Sequence, residues 1–422
     1  MRLLLTLVCL LWASTIAAQT SWPEYMPGLA PGLSESSVAA VLPSDITITP
    51  PTTNLPADKA RWSGMWKGWA CWASLCDVKV AVEKVTDTGA MLVYAGSSSQ
   101  STVNDRGEAL FVNDELVFRV KTGANLVLRL RPSGEMEFSI WKPDTRLIST
   151  GLLTQKPVDD YTRTIERVPT PWTENGKPQT LEMVVYRPTG PGPFPTLVMN
   201  HGSTGNGDKP QLFTNTWTNP DLARVFVHKG WLVLYPQRRG RGKSDGLYDE
   251  GFEADRSRYA SDPALSLPGL ERALADLDVI MAHVLTRSDV DTKRMLIGGV
   301  SRGGILSAVY AGTRPTPFQG VLNFVGGWVG NRWLYADSVN TVSFKRAAAF
   351  GKPMLWLYGD KDPFYSLKHS RANFDAFIAA GGKGSFVTYP PPTGQNGHAI
   401  HAYPSVWQAA VDDYLQLVVP PR

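Results

Sequence analysis

The sequence predicts two domains, a small antiparallel β domain at residues 58–155 and an α/β domain with a doubly wound, mostly parallel sheet at residues 156–422. Hydrophobic residues alternate with a period of two between residues 62 and 153. From about residue 160, short apolar strands alternate with segments of helical spacing. A third observation is the glycine-rich turn around Ser301, which joins an apolar strand to a helical segment.

The first 18 residues have the form of a signal peptide. Arg2 precedes an apolar run at residues 3–12, and small residues follow up to Ala18. The run is too short to cross a bilayer, and no later stretch is long and apolar enough to do so. We therefore expect cleavage near Ala17 or Ala18 and an exported protein, periplasmic or secreted, without an integral membrane segment. Residues 19–57 are rich in proline, serine and threonine, which predicts an extended arm.

Cysteine content and charge narrow the functional classes. Cys9 is removed with the signal peptide, and an oxidising compartment favours a disulfide between Cys71 and Cys76. Closing so short a loop stabilises the fold by only about 2 kcal/mol. No further cysteine or nearby histidine indicates a metal site. The formal net charge is +4 without a long block of one sign, so nothing predicts nucleic-acid binding.

The β domain reads as a series of strands joined by short turns. Val78, Val80 and Val82 alternate with polar residues, and similar runs follow up to Ile140. Such a pattern is typical of a meander or small barrel with one buried face. Tryptophans are concentrated in this region: Trp62, Trp66, Trp69, Trp72 and Trp141. We favour the interpretation that they fill the barrel, and the alternative is an aromatic platform that contacts a polymer.

Ser301 is the candidate nucleophile. It lies in the pentapeptide Gly-Val-Ser-Arg-Gly, after the apolar residues 295–297 and before a helical segment. A serine on such a strand–turn–helix junction has an exposed hydroxyl, and the small residues beside it let strand and helix approach closely. The alternative is a glycine-rich turn that serves packing alone.

A second loop, His201-Gly202-Ser203, follows another apolar strand. Its glycine lets backbone N–H groups face a pocket, and acyl transfer needs two such donors for the oxyanion of the transition state. We assign these donors to the backbone N–H groups of Arg302 and Ser203, with that of Gly202 as a substitute.

Three further residues are candidates for the substrate pocket. His201 belongs to the oxyanion loop, and Trp328 and Trp333 follow the strand after the nucleophile helix. For the tryptophans, core packing is a nearly equal alternative.

The general base and its carboxylate partner lie in the last two loops. A glycine-rich loop after the final strand holds His398 and His401, and we favour His398 as the base. Asp360 and Asp362 follow the preceding strand, where a buried carboxylate can orient an imidazole. An aspartate before Pro363 would equally suit the cap of the next helix.

The chain order serine, aspartate, histidine resembles that of the α/β-hydrolase superfamily, and residues 160–422 resemble it throughout. The similarity is greatest to dienelactone-hydrolase-like esterases and prolyl-oligopeptidase-like peptidases, whose Arg-Gly-x-Gly-x-Ser-x-Gly turn is similar to residues 239–246. The resemblance implies Asp362 as the carboxylate of a triad with Ser301 and His398. Dienelactone hydrolases proper carry cysteine in place of Ser301, and the peptidases often carry tyrosine in place of Arg302.

The resemblance implies acyl transfer in two steps, without a metal or cofactor. We expect an exported serine hydrolase that cleaves esters of small molecules. The alternatives are an exported peptidase acting on short peptides and a non-enzymatic binding protein on the same fold. Arg302 is either a salt-bridged scaffold residue, which we favour, or a group that binds a substrate carboxylate.

Overall fold

The computed structural model describes residues 40–420 except 71–75, 98–101, 132–133, 143–146, 156–160, 206, 208–209, 211–212, 215, 316 and 392–394. The predicted signal peptide, with its cleavage near Ala17 or Ala18, lies outside the described residues, as do most of the predicted arm and Cys71. The disulfide from Cys71 to Cys76 therefore stays a prediction.

The first folded unit is a closed barrel of eight antiparallel strands. Each strand pairs with the next along the chain, and the last strand returns to pair with the first. A four-residue helix, α1 (Ala57–Ala60), precedes the barrel. The strands are β1 (Gly64–Ala70), β2 (Cys76–Val85), β3 (Gly89–Ser97), β4 (Thr102–Val112), β5 (Glu115–Arg119), β6 (Asn125–Leu130), β7 (Met136–Lys142) and β8 (Leu147–Thr154).

The barrel is filled by aliphatic and aromatic side chains that alternate along its strands. Leu92, Leu116 and Leu128 have no exposed surface, as expected for a small barrel whose interior is a packed core. Trp62 and Trp66 are 3% and 1% exposed, and the indole N–H of Trp66 donates to the Trp62 carbonyl at 3.0 Å. These two tryptophans are core residues, so neither offers a face to a polymer.

The second unit is an eight-stranded sheet in the order β16-β15-β14-β13-β11-β12-β10-β9. The strands β11 to β16 run parallel, whereas β9 and β10 form an antiparallel hairpin at one edge. The strands are β9 (Tyr161–Glu174), β10 (Lys177–Pro188), β11 (Phe194–Asn200), β12 (Leu232–Pro236), β13 (Val290–Val300), β14 (Phe318–Phe324), β15 (Pro353–Gly359) and β16 (Lys383–Tyr389). The predicted antiparallel domain followed by a mostly parallel α/β sheet is confirmed.

Helices connect and cover the parallel strands. They are α2 (Pro220–Val227), α3 (Pro263–Val284), α4 (Arg302–Thr313), α5 (Ala336–Ala347), α6 (Leu367–Ala379) and α7 (Pro404–Val418). The apolar strands and the inner helix faces form one large hydrophobic core. Among the residues described, no helix is long and apolar enough to cross a membrane.

The topology brings three loops to one edge of the sheet. Because β11, β13 and β15 are parallel, the segments that follow them leave at the same end. Ligand sites of open α/β sheets lie at this carboxyl end. The loops after β11, β13 and β15 are the ones that carry His201, Ser301 and Asp362.

Candidate active site

Ser301 lies at a sharp turn between β13 and α4. Its backbone has φ 57° and ψ −123°, a strained conformation that non-glycine residues adopt where the surrounding structure enforces it. The turn is tight: a Cβ added to Gly299 would lie 2.2 Å from the Gly303 carbonyl carbon, and one added to Gly303 would lie 2.2 Å from the Asn200 oxygen. The backbone contacts at Gly299 and Gly303 therefore leave no room for a side chain, as the sequence analysis expected of the small residues in this pentapeptide.

The end of β14 supports this turn from the neighbouring strand. The Ser301 N–H donates to the Phe324 carbonyl at 2.9 Å, and the Gly327 N–H donates to the Ser301 carbonyl at 3.2 Å. Val325, between them, has φ 44°, a second strained residue within this small region. Main-chain hydrogen bonds therefore hold both the N–H and the carbonyl group of Ser301.

Tyr365 is a site residue that the sequence analysis missed. Its phenol hydroxyl donates to the Gly327 carbonyl at 2.7 Å. Burial raises the pKa of Tyr365, while the nearby Arg302 guanidinium and the Ser301 side chain act in the opposite direction. Its proximity to the serine depends on how the loop after β15 folds back, and no motif in the sequence signals that contact.

The predicted oxyanion loop passes directly beside the serine. A Cβ added to Gly202 would lie 3.0 Å from the Ser301 Cβ and 3.6 Å from its Oγ. Arg302 is the first residue of α4, where a backbone N–H has no acceptor within the helix. Both predicted donor segments, at Ser203 and Arg302, therefore adjoin Ser301, and their assignment as donors stays a prediction.

His201 supports the oxyanion loop instead of lining a pocket. The side chain is fully buried, and its Nδ1 lies 2.8 Å from the Gly202 carbonyl oxygen. Its Nε2 accepts from the Arg238 backbone N–H at 3.2 Å, so Nδ1 carries the proton and donates to Gly202. Burial, with the nearby guanidinium groups, holds the pKa of His201 well below its usual range. With both ring nitrogens engaged, His201 has no hydrogen bond to offer a substrate.

Asp362 and His398 form the predicted carboxylate–imidazole pair. His398 Nδ1 lies 2.8 Å from Asp362 Oδ2, and Asp362 is 7% exposed. The other carboxylate oxygen accepts the backbone N–H groups of Phe364 at 2.8 Å and Tyr365 at 3.1 Å. Asp360, in contrast, is exposed at the loop surface.

The alternative role of Asp362 as a helix cap does not apply to α6. That helix is capped by Ser366, whose hydroxyl accepts from the His369 N–H at 3.3 Å. Asp362 caps the turn that precedes the helix, and the same carboxylate orients His398. One side chain therefore serves both the turn and the imidazole.

His398 and His401 lie in one 3₁₀ turn, Gly397–Ala402, but they have different partners. His401 Nδ1 lies 3.1 Å from Asn219 Nδ2, a donor, and burial lowers the pKa of His401 to about 3. His401 is thus a neutral residue engaged with Asn219. His398 is the histidine of this turn that faces Asp362.

Arg302 and the two candidate pocket tryptophans lie in different environments. The Arg302 guanidinium donates to the Glu250 carbonyl at 2.8 Å and lies between the rings of Tyr259 at 3.8 Å and Trp328 at 4.4 Å. Trp328 is 1% exposed and belongs to the core, whereas Trp333 is 42% exposed. The Arg302 guanidinium also lies 3.8 Å from the Glu250 carboxylate, a contact that suits a salt-bridged scaffold residue; its role stays a prediction.

The described residues show no cluster of three or more His, Cys, Asp or Glu side chains that could hold a metal ion. The groups at this edge of the sheet are the Ser301 hydroxyl, the His398 imidazole with its Asp362 partner, and backbone N–H groups at the start of α4. These are the groups that acyl transfer uses.

The sheet order, the strained serine turn and the loops at its edge define an α/β hydrolase. A scan against family models matches the dienelactone hydrolase family at residues 181–406. The chain belongs to the dienelactone hydrolase family, and it is a hydrolase.

Two relatives and one solved structure illustrate the similarity. A protein of Yersinia pestis provisionally named carboxymethylenebutenolidase is 26% identical over 50% of this chain and 70% of its own length. A protein of the same provisional name from Methylorubrum extorquens is 27% identical over 51% of this chain and 66% of its own. A structure assigned as a dienelactone hydrolase from Klebsiella pneumoniae is 21% identical, covering 60% of this chain and 98% of that one, with a TM-score of 0.38. A TM-score of this size does not by itself define a common fold.

Proposed function

We propose that this protein is an exported serine hydrolase that cleaves carboxylic esters of small molecules, with Ser301 as nucleophile, His398 as general base and Asp362 as its partner. The observation that carries the proposal is the buried Asp362–His398 pair, 2.8 Å between Oδ2 and Nδ1, with Asp362 at the edge of the sheet that also carries the strained Ser301 turn. Tyr365 links the two parts, because its backbone N–H donates to Asp362 and its hydroxyl donates to the carbonyl of Gly327, whose N–H donates to the Ser301 carbonyl.

In the first step, His398 takes the Ser301 proton through Nε2 while the serine oxygen attacks the ester carbonyl carbon. Asp362 accepts the His398 Nδ1–H, which fixes the tautomer and stabilises the imidazolium that forms. The backbone N–H of Arg302 and that of Ser203 or Gly202 bind the developing oxyanion. The bond between the former carbonyl carbon and the alcohol oxygen then breaks, and the alcohol leaves with the proton from His398.

In the second step, water releases the acyl group from Ser301. His398 removes a proton from water, the hydroxide oxygen bonds to the acyl carbon, and the bond to Ser301 Oγ breaks as His398 returns its proton to that oxygen. The carboxylic acid product leaves, and the serine is regenerated. The sequence of steps needs no group beyond the residues named and water.

Membership of the dienelactone hydrolase family favours an ester over a peptide substrate. A butenolide, which the names of the relatives contain, is a cyclic ester. Peptide hydrolysis is the second candidate, because the same residues cleave amides when a pocket holds the peptide. A non-enzymatic role is third, since the chain carries a candidate for each group that the reaction needs.

Two measurements on the purified mature chain test the proposal: labelling by a fluorophosphonate probe and hydrolysis of esters. We expect a fluorophosphonate probe to label wild type and Ser338→Ala, a control at an exposed serine, but not Ser301→Ala. Short p-nitrophenyl esters should be hydrolysed by the same two proteins, with a loss of at least about 10⁴-fold in kcat for Ser301→Ala. Faster turnover of Xaa-Pro amides than of esters would favour the peptidase, and absence of labelling would favour the binding protein.

The predicted signal peptide, residues 1–18, supports the proposal that the protein is exported. Its positive start, apolar run and small-residue end are the features by which export machinery recognises a substrate. Mass spectrometry of the protein recovered from a periplasmic or culture fraction should find a new N-terminus just after Ala17 or Ala18. Recovery of the intact chain from the cytoplasm alone would contradict export.

A further inference from the structure

The turn that carries His398 is held at its start by local contacts. The Asn396 side chain accepts the His398 backbone N–H at 2.9 Å. The Trp407 indole donates to the Ile400 carbonyl at 3.0 Å, and the Tyr403 N–H donates to the same carbonyl at 2.9 Å. Beyond Tyr403 the chain enters α7 directly, so the first turn of α7 is continuous with the turn that carries the histidine.

Helix α7 begins without a cap from the residue at its own N-terminus. Its N-cap position, Tyr403, makes no side-chain capping hydrogen bond. The first N–H groups of a helix need acceptors, and a carboxylate is the most favourable one because of the helix dipole. For α7 this acceptor comes from the barrel: Glu137 Oε1 accepts the Ser405 backbone N–H at 2.6 Å, and Glu137 Oε2 accepts the Ser405 hydroxyl.

Glu137 is itself fixed within the barrel. It is 4% exposed, and it accepts from Arg131 Nε at 3.0 Å and from Arg129 Nη1 at 3.1 Å. Arg129 Nη1 also donates to the Ser405 hydroxyl at 3.1 Å. A buried carboxylate with two guanidinium partners and two contacts to one serine is held in one position, since each long side chain restrains the others.

A second contact on the same barrel strand reaches the residue before the helix. The Ser139 hydroxyl lies 2.9 Å from the Tyr403 hydroxyl, and both groups are buried. Residues 137 and 139 project from the same side of β7, as alternate residues of a strand do. The barrel therefore contacts both Tyr403 and Ser405, five and seven residues after His398.

We propose that Glu137 and Ser139 of the barrel are positioning residues for His398, acting through Ser405 and Tyr403 on the turn that carries the imidazole. The inference rests on the proposed role of His398 as base. It assigns the barrel a part in the reaction: it supplies the helix cap that the catalytic domain lacks. A displacement of a catalytic group by about 1 Å costs up to about 100-fold in rate, so a loosened turn is expected to lower kcat.

The alternative is that these contacts only join two domains and stabilise them. Glu83 provides a matched control, because it is also a buried barrel glutamate, 9% exposed, with an arginine partner, Arg106, at 3.1 Å. Its side chain accepts the Thr47 N–H at 3.1 Å, so it holds the segment before the barrel and not α7. Glu83→Gln removes a comparable ion pair without touching the histidine turn.

The experiment compares Glu137→Gln, Ser139→Ala and Glu83→Gln in the full chain, by kcat, KM, thermal unfolding and the far-downfield proton resonance of His398 Nδ1–H. We expect kcat to fall about 10-fold in Glu137→Gln and about 3-fold in Ser139→Ala with KM unchanged, while Glu83→Gln lowers only the unfolding temperature. In the two test variants, and not in the control, the resonance should broaden or shift. Ser139→Ala, the milder change, keeps the test valid if Glu137→Gln fails to fold.

The resonance separates this inference from the proposed function. If wild type hydrolyses no ester but the resonance changes in Glu137→Gln and Ser139→Ala alone, the proposed function fails and the positioning stands. If the resonance and kcat match those of wild type in both variants while stability falls, the barrel serves only stability and the inference is overturned. Equal changes in Glu83→Gln would overturn it as well.

Discussion

Ser301 and His398 are held by different kinds of contact. Ser301 is fixed by main-chain groups, such as its N–H to the Phe324 carbonyl at 2.9 Å, within one sheet and the helix that follows. The turn of His398 is fixed by side chains from separate segments: Asn219 donates to the His401 carbonyl at 2.9 Å, and Glu137 of the barrel accepts the Ser405 N–H at 2.6 Å. The proposed nucleophile is thus held by its backbone, and the turn of the proposed base is held by side chains.

The difference predicts how each region fails. Main-chain contacts at van der Waals distance leave no space for an added atom, so the serine turn is disrupted by a larger residue. Side-chain contacts survive small changes of volume but depend on polar atoms, so the histidine turn is disrupted when an acceptor or donor is removed. The largest effect on kcat is expected at Asp362, the partner of His398.

The Asp362→Asn substitution should produce the largest effect. The amide keeps the shape of the side chain, but its nitrogen cannot accept the His398 Nδ1–H, and the tautomer that accepts the serine proton is lost. We expect kcat to fall about 10⁴-fold with little change in the unfolding temperature. Steady-state hydrolysis of p-nitrophenyl butyrate and calorimetry measure the two quantities.

Asp360→Asn is the control for this substitution, since Asp360 is exposed two residues away on the same loop. It should retain wild-type kcat. A large loss in Asp360→Asn with none in Asp362→Asn would exchange the roles assigned to these two residues.

The next largest effect is on the stability of the fold, and it involves Asp221, a buried carboxyl near the contacts that hold the histidine turn. Burial raises the pKa of Asp221 from 3.8 to about 7, and the charge of Glu137 acts in the same direction, while Arg131 and Arg224 oppose it. The folded protein therefore keeps a proton that the unfolded chain releases at lower pH. As the pH rises from about 4 to about 7, ionisation favours the unfolded state, and stability is lost.

Asp221→Asn should remove this pH dependence. A pKa difference of about three units corresponds to about 4 kcal/mol, so the variant should gain that much stability relative to wild type between about pH 4 and pH 8. Urea unfolding at a series of pH values measures the difference. A constant difference across this range would show that Asp221 titrates as it does in the unfolded chain.

The local nature of the serine turn explains why it could be predicted. The glycines beside Ser301, the apolar strand before it and the helix after it are consecutive in sequence, so a short pattern contains the whole motif. The Asp362–His398 pair was predicted from chain order and resemblance, and the structure brings the two side chains together. The contact of Tyr365 with Ser301 depends on the tertiary path of a loop, which no spacing reveals.

Two of the strands that the sequence analysis missed, β4 and β9, share a physical reason. In β4, Thr102–Val112, most side chains are polar or exposed, so the strand lacks an alternating apolar face. The edge strand β9, Tyr161–Glu174, likewise has a single buried residue, Val168, and so lacks an apolar face. Pairing with a neighbour, more than burial, defines these two strands, and the partner of a strand is not written in its own residues.

The contacts between the barrel and α7 were equally beyond prediction. Glu137 and Ser405 are 268 residues apart in sequence, and each resembles an ordinary surface residue when read alone. Only the closed barrel and the position of α7 make them partners. The base side of the site is therefore the part that depends most on tertiary structure.

Gly303→Ala tests the backbone-held region. Its Cβ would lie 2.2 Å from the Asn200 oxygen and 2.5 Å from the His201 oxygen, so the oxyanion loop has to move. We expect a loss of about 3 kcal/mol in unfolding free energy, together with a fall in kcat, because the loop lies against Ser301. Gly190→Ala is the control: it has φ 92° with no atom within 4 Å, so only backbone strain of about 1 kcal/mol is expected. Equal losses in the two variants would show that the close contact does not matter.

Asn219→Ala tests the side-chain-held region and should give the smallest effect. Asn219 Oδ1 accepts the Leu222 N–H at 3.1 Å as the cap of α2, and its amide donates to the His401 carbonyl at 2.9 Å. Loss of the cap and of a buried hydrogen bond should cost about 2 kcal/mol and lower kcat about 3-fold. Asp262→Ala, which removes the cap of α3 with its 2.8 Å bond to the Ala264 N–H, should cost about 1 kcal/mol and leave kcat unchanged. If the two variants lower kcat equally, helix capping in general and not the hold on the histidine turn accounts for the loss, and the two halves of the site are then held in the same way.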